Sequence, residues 1–328
     1  MQDSNNIALS SRVRLARNMD AVPFPGHMSI MDVDTISSKA VNAFAGADFE
    51  IMTVADLPTA QRQAFIEKHL ASPALMENEM GMLILSKDES VAVMVGEEDH
   101  FRIQSITPGF SLEQALQASQ GVDAMLGQSM DFAYSDRLGY LTTCPTNVGT
   151  GMRASVMVHL PALTMMGQMG RLQKQLHDAG MTVRGIYGEG SHAMGCIYQI
   201  SNRITLGKSE TQLADGVARA VGQMIKQENE GRMLFAQDPP NSVEDGVYRA
   251  HALLASARRM GHKEFMKLWS DAMLGAGLGW VQLDTGAMVA LLVSAQPGML
   301  TLQHGHSNET EITRADLCRE AMRSATQK

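Results

Sequence analysis

The sequence predicts an α+β fold, with a mainly antiparallel sheet flanked by helices and a smaller, mostly helical C-terminal domain. Three observations carry this. Short apolar runs cut by polar turns fill residues 80 to 110, and further β-like runs recur with helical stretches between them up to about residue 205. From Ser209 onward the apolar spacing is helical almost throughout. At 328 residues the chain exceeds an ordinary single domain. The division expected is 7–231 for the sheet-bearing domain and 232–328 for the helical one.

The strands come first. "GMLILS", "SVAVMVG" and "HFRIQSI" are joined by short connections and read as adjacent antiparallel strands. "SLEQALQASQGVDAMLGQ" follows with helical spacing, and Ser111 and Gln114 stand in a capping-box arrangement. More β signal lies in "LGYLTT", "RASVMVHL", "MTVRGIYG" and "CIYQISNRI". Between the second and third of these, "PALTMMGQMGRLQKQLHDAG" begins with proline and ends with glycine, as one helix should. "SETQLADGVARAVGQMIKQENEGRMLF" is a long amphipathic helix, and "DPPNS" breaks the chain after it. Helices in "VEDGVYRAHALLASARRM", "KEFMKLWSDAMLGAGL" and "ITRADLCREAMRSA" complete the chain, with an apolar "MVALLV" between the last two.

Composition excludes several classes. A net charge of -8 with 19% charged residues argues against a nucleic-acid surface or a basic membrane patch. Cys144, Cys196 and Cys318 are widely spaced and form no CxxC pair, which fits a reducing cytoplasm better than a disulfide framework or a zinc ribbon. The N-terminus lacks a basic segment followed by an apolar one, and no apolar run reaches the ~18 residues of a spanning helix. The expectation is a cytoplasmic protein with no membrane and no nucleic-acid partner. The 26 methionines read as core filling.

The chemistry lies in arginines at strand ends. No GxxxxGK[ST] is present, and "GAGLG" at Gly275 to Gly279 sits inside a helical pattern. Arg12 and Arg14 alternate with Val13 and Leu15, so on a strand both guanidinium groups face one side. Arg102, Arg153 and Arg184 also adjoin β-like residues. If the five converge they suit a triphosphate, whose charge they and a magnesium ion would neutralise during phosphoryl transfer. Taken singly, each reads more readily as a surface ion pair. Glu97, Glu98 and Asp99 end a strand abruptly. A guanidinium acceptor is charged and a poor nucleophile, so it needs carboxylates to grip it and take a proton. Glu189, in a glycine-flanked loop, is a second such carboxylate. The plain alternatives are a solvated turn and a loop charge. Cys144 precedes a Pro/Gly-rich loop leading to Arg153; it is either a thiolate that helps orient a guanidinium or a small structural cysteine.

Six stretches, "SSRVRLARN", "EKHLASP", "EEDHFRIQ", "CPTNVGTGMRASVMVHLPAL", "VRGIYGEGS" and "QISNRITLGKSE", occur in the order found in the ATP:guanidino phosphotransferases, the phosphagen kinase family. Within it the chain resembles the bacterial McsB-type protein arginine kinases, from about Ile7 to Gly231. The resemblance implies a phosphagen-kinase-like catalytic domain that uses ATP and Mg2+. It implies that Ser10, Ser11, Arg12, Val13 and Arg14 form the first nucleotide-contacting strand, joined by His69 and Arg102. The segments Arg153, Ala154, Ser155, Val156, Met157 and Arg184, Gly185, Ile186, Tyr187, Gly188, Glu189 complete that site. By the same resemblance Glu98 is the catalytic base, Glu189 its partner, and Cys144 the reactive cysteine. Gly96 stands where the family usually has asparagine.

Family members that act on free arginine or creatine carry a helical domain before the "SSRVR" strand, whereas nine residues precede Ser10 here. The acceptor side is therefore expected to be open to an arginine on a protein. The region after residue 232 resembles the C-terminal domain of the protein-directed branch, associated with dimerisation and phosphoarginine recognition. The branch's RDxxRA is replaced by "ADLCRE", in which Asp316 and Arg319 match while Ala315 and Glu320 do not. Arg314 is one position away, a rotation of ~100° on a helix. Thr313 and Asp316 also fit a plain capping box. The partners implied are proteins with exposed arginine, a Clp-type unfoldase or protease, an activator protein and a second copy of the chain in a homodimer. Two alternatives stand beside this reading: a kinase of a free guanidino compound, and a non-catalytic adaptor for a Clp protease.

Overall fold

Local sequence accounts for most elements of the computed structural model, which describes residues 7–186, 193–305 and 309–325. The alternation in "ALSSRVRLAR" forms β1 (Ala8–Arg17), which buries Ser11, Val13 and Leu15 and leaves Arg12 and Arg14 half-buried on the other face. Helix α1 (Ile30–Ala43) opens on a capping box in which Ser29 and Asp32 bond each other's backbone N–H. β2 (Phe49–Thr53), α2 (Thr59–Glu67) and α3 (Pro73–Glu77) follow. The last begins where Ser72 caps Leu75 N and Pro73 takes the first helical position.

The three apolar runs become β3 (Met82–Ser86), β4 (Val91–Val95) and β5 (Phe101–Pro108), paired antiparallel in succession, with β2 beyond β3 and β1 beyond β5. Next come α4 (Leu112–Gly127), a small ribbon of β6 (Tyr134–Ser135) and β7 (Gly139–Tyr140), and β8 (Met152–His159). They are followed by α5 (Pro161–Met165), α6 (Met169–Asp178), β9 (Met181–Gly185) and β10 (Ile197–Asn202). The main sheet has the order β2-β3-β4-β5-β1-β8-β10-β9. The remaining helices are α7 (Glu210–Gln237), α8 (Asn241–Ser256), α9 (His262–Gly277), α10 (Thr285–Ser294), α11 (Pro297–His304) and α12 (Thr310–Ala325). No single helix among the described residues is long and apolar enough to cross a membrane.

The chain forms two compact units that interleave along the sequence. One gathers Ser10–Val156 with Ser201–Arg219; the other gathers Met157–Ile200 and Ala220–Lys328 with the N-terminal residues through Leu9. In the first, Phe65, Leu70, Leu75 and Met76 pack on Leu83, Leu85, Ala92 and Met94. In the second, α9 is the central helix. Its Phe265 and Trp269 are fully buried among residues of α8, α10 and α12, with Leu9 and Ile197 in the same cluster. Five methionines (Met260, Met266, Met273, Met288 and Met322) fill that core, as adaptable side chains do. Glu228 on α7 accepts from Ala162 N and Leu163 N at 3.1 and 3.0 Å. It thereby satisfies the start of α5 while pairing with Arg232 at 2.8 Å.

Several local expectations are corrected. Ser111 does precede α4, but its hydroxyl donates to Pro108 O at 2.6 Å and makes no cap bond. The stretch expected as one helix is two, α5 and α6, separated at Gly167 with φ +68°. "LGYLTT" supplies only the two residues of β7, and the apolar "MVALLV" is helical, in α10. Thr313 lies inside α12, not at its start, and its hydroxyl bonds back to Glu309 O at 3.3 Å, so it caps nothing. α7 runs unbroken through Gly231, and the chain turns at Asp238–Pro240.

Candidate active site

The cationic face is set by strand register. β1 and β5 pair so that Arg12 stands opposite Ile106, Arg14 opposite Gln104 and Ala16 opposite Arg102. Directly opposed residues share a face, so Arg102 arrives on the face of Arg12 and Arg14. Gln104, on the same face, donates to His69 O at 2.6 Å and holds the segment after α2, where His69 has a left-handed φ of +61°.

The electrostatics agree. The pKa of Arg14 is held well below the ordinary arginine value, first by the guanidinium of Arg12, then by burial, Arg102 and Arg153. Four of the five sequence-predicted arginines therefore repel one another at one place. Arg14 Nε is buried with no hydrogen-bond partner. An orphaned donor among mutually repelling cations is costly, and an anionic ligand with several acceptor oxygens would relieve both costs. His69 is pulled down to about 4 by burial, then by Arg12 and Arg14. It is neutral at pH 7, able to pack or bond without adding charge.

Arg153, on β8, is aimed by the loop before it: its Nε donates to Asn147 Oδ1 at 3.1 Å and its Nη2 to Thr146 Oγ1 at 3.2 Å. Cys144 Sγ lies 3.1 Å from the same Thr146 Oγ1, so the half-buried thiol joins the arginine cluster through one hydroxyl.

The acidic knot splits into two pairs with different tasks. Gly96 turns the chain at φ +76°, its carbonyl held by Asn78 Nδ2 at 2.7 Å. Glycine and asparagine are the residues that tolerate this conformation, which explains the exchange noted at this position. Glu97 and Glu98 then receive the two arms of Arg102, Nη1 to Glu97 Oε1 and Nη2 to Glu98 Oε2, each at 2.7 Å. The Glu97 side chain is 4% exposed and that of Glu98 40%, so Glu98 is the carboxylate that solvent or an acceptor can reach. Asp99 and His100 point inward. Asp99 Oδ1 accepts from Asn18 Nδ2 and from Thr143 N, both at 2.7 Å, which fixes the backbone beside Cys144. His100 Nδ1 accepts from Met19 N, leaving Nε2–H to donate to Pro23 O.

Other predicted positions stand differently. Ser11, Val13, Ala154, Ser155 and Val156 are buried. Ser11 Oγ is spent on Gly109 O and Ser111 N, and Ala154 N donates to Asn202 Oδ1. Their side chains present the arginines; any ligand contact from these positions would fall to the main chain. Ser10 is half-buried on β1. Met157, Arg184, Gly185 and Ile186 belong to the other compact unit. There Met157 and Ile186 pack on the helical core and Arg184 is exposed. Tyr187, Gly188 and Glu189 lie outside the described residues. On α12, Arg319 donates to Ala257 O and pairs with Asp316. Sequence reasoning missed Ser72, Gln104, Thr146, Asn147 and Asn202. All five lie within the six quoted stretches, so the signal was present, but nothing in the residue types themselves singled them out.

Residues 32–231, well over half the chain, match the family described as ATP:guanido phosphotransferase, C-terminal catalytic domain. The chain belongs to the ATP:guanido phosphotransferase family. Residues 240–328 match the C-terminal domain described for protein-arginine kinase McsB. A protein-arginine kinase of Bacillus licheniformis is 42% identical over 97% of this chain and 91% of its own length, and one of Bacillus subtilis 41% over 97% and 90%. The duplicated taurocyamine kinase of Schistosoma mansoni, solved with transition state analogue components, is 28% identical, with a TM-score of 0.62 over 68% of this chain. This chain spans 33% of that duplicated one. A lombricine kinase, 24% identical with a TM-score of 0.59 over 69% of this chain and 67% of its own, shares the fold.

Membership of the ATP:guanido phosphotransferase family supplies the anion that the cationic face fits. ATP is the phosphoryl donor implied by the family, and a polyphosphate is what four guanidinium groups and the orphaned Arg14 Nε can bind. The donors here suit phosphate oxygens. Among the described residues no three or more His, Cys, Asp or Glu side chains gather as a metal site.

Proposed function

We propose that this chain is an ATP-dependent protein arginine kinase, transferring the γ-phosphoryl group of Mg-ATP to arginine side chains of proteins. The observation that carries the reading is Arg102. It lies among Arg12, Arg14 and Arg153 and bonds Glu97 and Glu98, so a phosphate-binding surface and a guanidinium-binding carboxylate share one residue. Relatives that bear the name protein-arginine kinase align along nearly the whole chain, which supports a protein as the acceptor.

The chemistry follows from the residues. Arg12, Arg14, Arg102 and Arg153 hold the phosphates and stabilise charge as it builds on the transferring group, and magnesium travels on the nucleotide's own oxygens. Glu98 orients the acceptor guanidinium and takes its proton as nitrogen attacks phosphorus. A nitrogen–phosphorus bond forms, the bond from the γ-phosphorus to the bridging oxygen breaks, and ADP leaves. Glu189 is the second carboxylate of this reading and Cys144 orients the acceptor. Arg184 with its neighbours through Tyr187 and Gly188 adds to the ATP site. Within the same reading the protein works in the cytoplasm, marks clients for a Clp-type protease, responds to an activator and pairs as a homodimer.

The test is labelling with Mg-ATP of an unstructured arginine-containing protein and, separately, of free arginine, read as acid-labile phosphate. Labelling of the protein acceptor is expected, with Glu98→Gln lowering turnover by about 10²- to 10⁴-fold while nucleotide binding persists. Turnover of free arginine alone would favour a phosphagen kinase, and no labelling of either would point to a required activator protein or to the adaptor.

A further inference from the structure

We propose that Ser72 is a positioning residue for phosphoryl transfer, acting through Glu97 on Arg102. The inference rests on the kinase reading but names a residue outside it.

The contacts form one line. Ser72 Oγ accepts from Leu75 N at 3.1 Å, as the cap of α3, and donates to Glu97 Oε1 at 2.7 Å. A hydroxyl has one proton, and here the carboxylate takes it. Glu97 Oε1 also accepts Arg102 Nη1 at 2.7 Å, and Glu97 Oε2 accepts Glu98 N at 3.1 Å. Each oxygen of this buried carboxylate is engaged, and Ser72 is the partner that arrives from a separate element.

The two arms of Arg102 consequently differ. The arm on Glu97 is braced from α3, whereas the arm on Glu98 meets a carboxylate that is 40% exposed. A γ-phosphate competes for the second arm far more readily than for the first. Drawing that arm from Glu98 frees the base for the acceptor guanidinium, while the first arm keeps Arg102 in place. Without the Ser72 proton, Glu97 can rotate about its terminal torsion and the brace is lost. The same short segment carries His69, so one piece of chain serves both the cationic face and the acid pair.

Three variants separate positioning from capping. Ser72→Thr keeps the donor and the cap. Ser72→Asp keeps an acceptor for Leu75 N but has no proton for Glu97. Ser72→Ala loses both. With Mg-ATP and a protein acceptor, Ser72→Ala and Ser72→Asp are expected to lower kcat about 10- to 100-fold, the worth of a charge-assisted hydrogen bond. Nucleotide KM rises in both and acceptor KM moves less, while Ser72→Thr stays within about threefold of wild type. Ser72→Asp also sets a second carboxylate against the buried Glu97, so it should melt below wild type, and turnover is compared at a temperature where every variant is folded. Wild-type turnover in Ser72→Asp would overturn the proposal, because a cap alone would then account for the residue. If the wild-type protein labels no acceptor, titration calorimetry with a non-hydrolysable Mg-ATP analogue, which keeps the γ-phosphate, decides this proposal separately. Weaker binding in Ser72→Ala and Ser72→Asp upholds the brace; equal binding in all four proteins overturns it.

Discussion

His69 is buried beside Arg12 and Arg14, and its pKa falls to about 4. His100 is lowered chiefly by burial, and His159, fully buried against Trp269 and Ser270, lies well below its usual value for the same reason, with Arg232 adding to it. In the unfolded chain each would titrate near 6.5. Between that value and the folded one the unfolded state binds more protons, so stability is fully present above pH ~6.5 and is lost as pH falls toward 4. Thermal melts from pH 7.5 down to 5 should show a falling midpoint, and His69→Gln should make the fall shallower. A midpoint flat with pH would mean that these rings bind protons as readily in the fold as in the unfolded chain. At this scale Arg12 and Arg14 were legible in the sequence, because a period of two is local. That Arg102 joins them came from the family resemblance and not from any local pattern, since it depends on Ala16 facing Arg102 across two strands separated by more than eighty residues.

Elements make some of these choices harder to read. Arg314 and Ala315 are neighbours on α12, and both face inward, each into a different environment. Arg314 is buried, donating to Ala295 O and Met260 O at 2.9 Å each, and Ala315 is fully buried beside Cys318 and Met322. Ala315→Arg, the change that restores the family's first arginine, would therefore drive a guanidinium into an apolar core instead of building a pocket. A loss of about 3 kcal/mol or more is expected, read by urea denaturation. Unchanged stability with new phosphoarginine binding would show that α12 can rotate. The capping signal at Ser111 misled for a related reason: a hydroxyl takes the nearest acceptor that the finished turn offers, here Pro108 O. Apolar runs such as "MVALLV" carry no period, so only packing makes α10 a helix.

Across the whole molecule, the antiparallel run from β3 to β5 and the helical C-terminal region were legible, because hydrophobic period and turn residues are written locally. The interleaving of the two units was not. The core around Trp269 is completed by Leu9 and Ile197, and His159 on β8 bonds Ser270 on α9 at 2.8 Å. Gly195 comes so close to α9 that an added Cβ would sit 2.9 Å from Met266 O. A chain ending at Gly231 would lose α8 to α12 and expose Met157, Ile186 and Met194 along with Leu9 and Ile197, and it would leave the His159 ring facing no partner on α9. Exposed apolar surface of that extent, with a broken buried hydrogen bond, should cost the fragment its cooperative fold. We therefore expect residues 1–231 to aggregate or to melt without a sharp transition. Co-expression with residues 232–328 should recover a soluble complex, measured by circular dichroism and light scattering. A fragment melting sharply at the full-length midpoint would show that the strand ends do not need the C-terminal helices, and the unit built around α9 would then have to be redrawn.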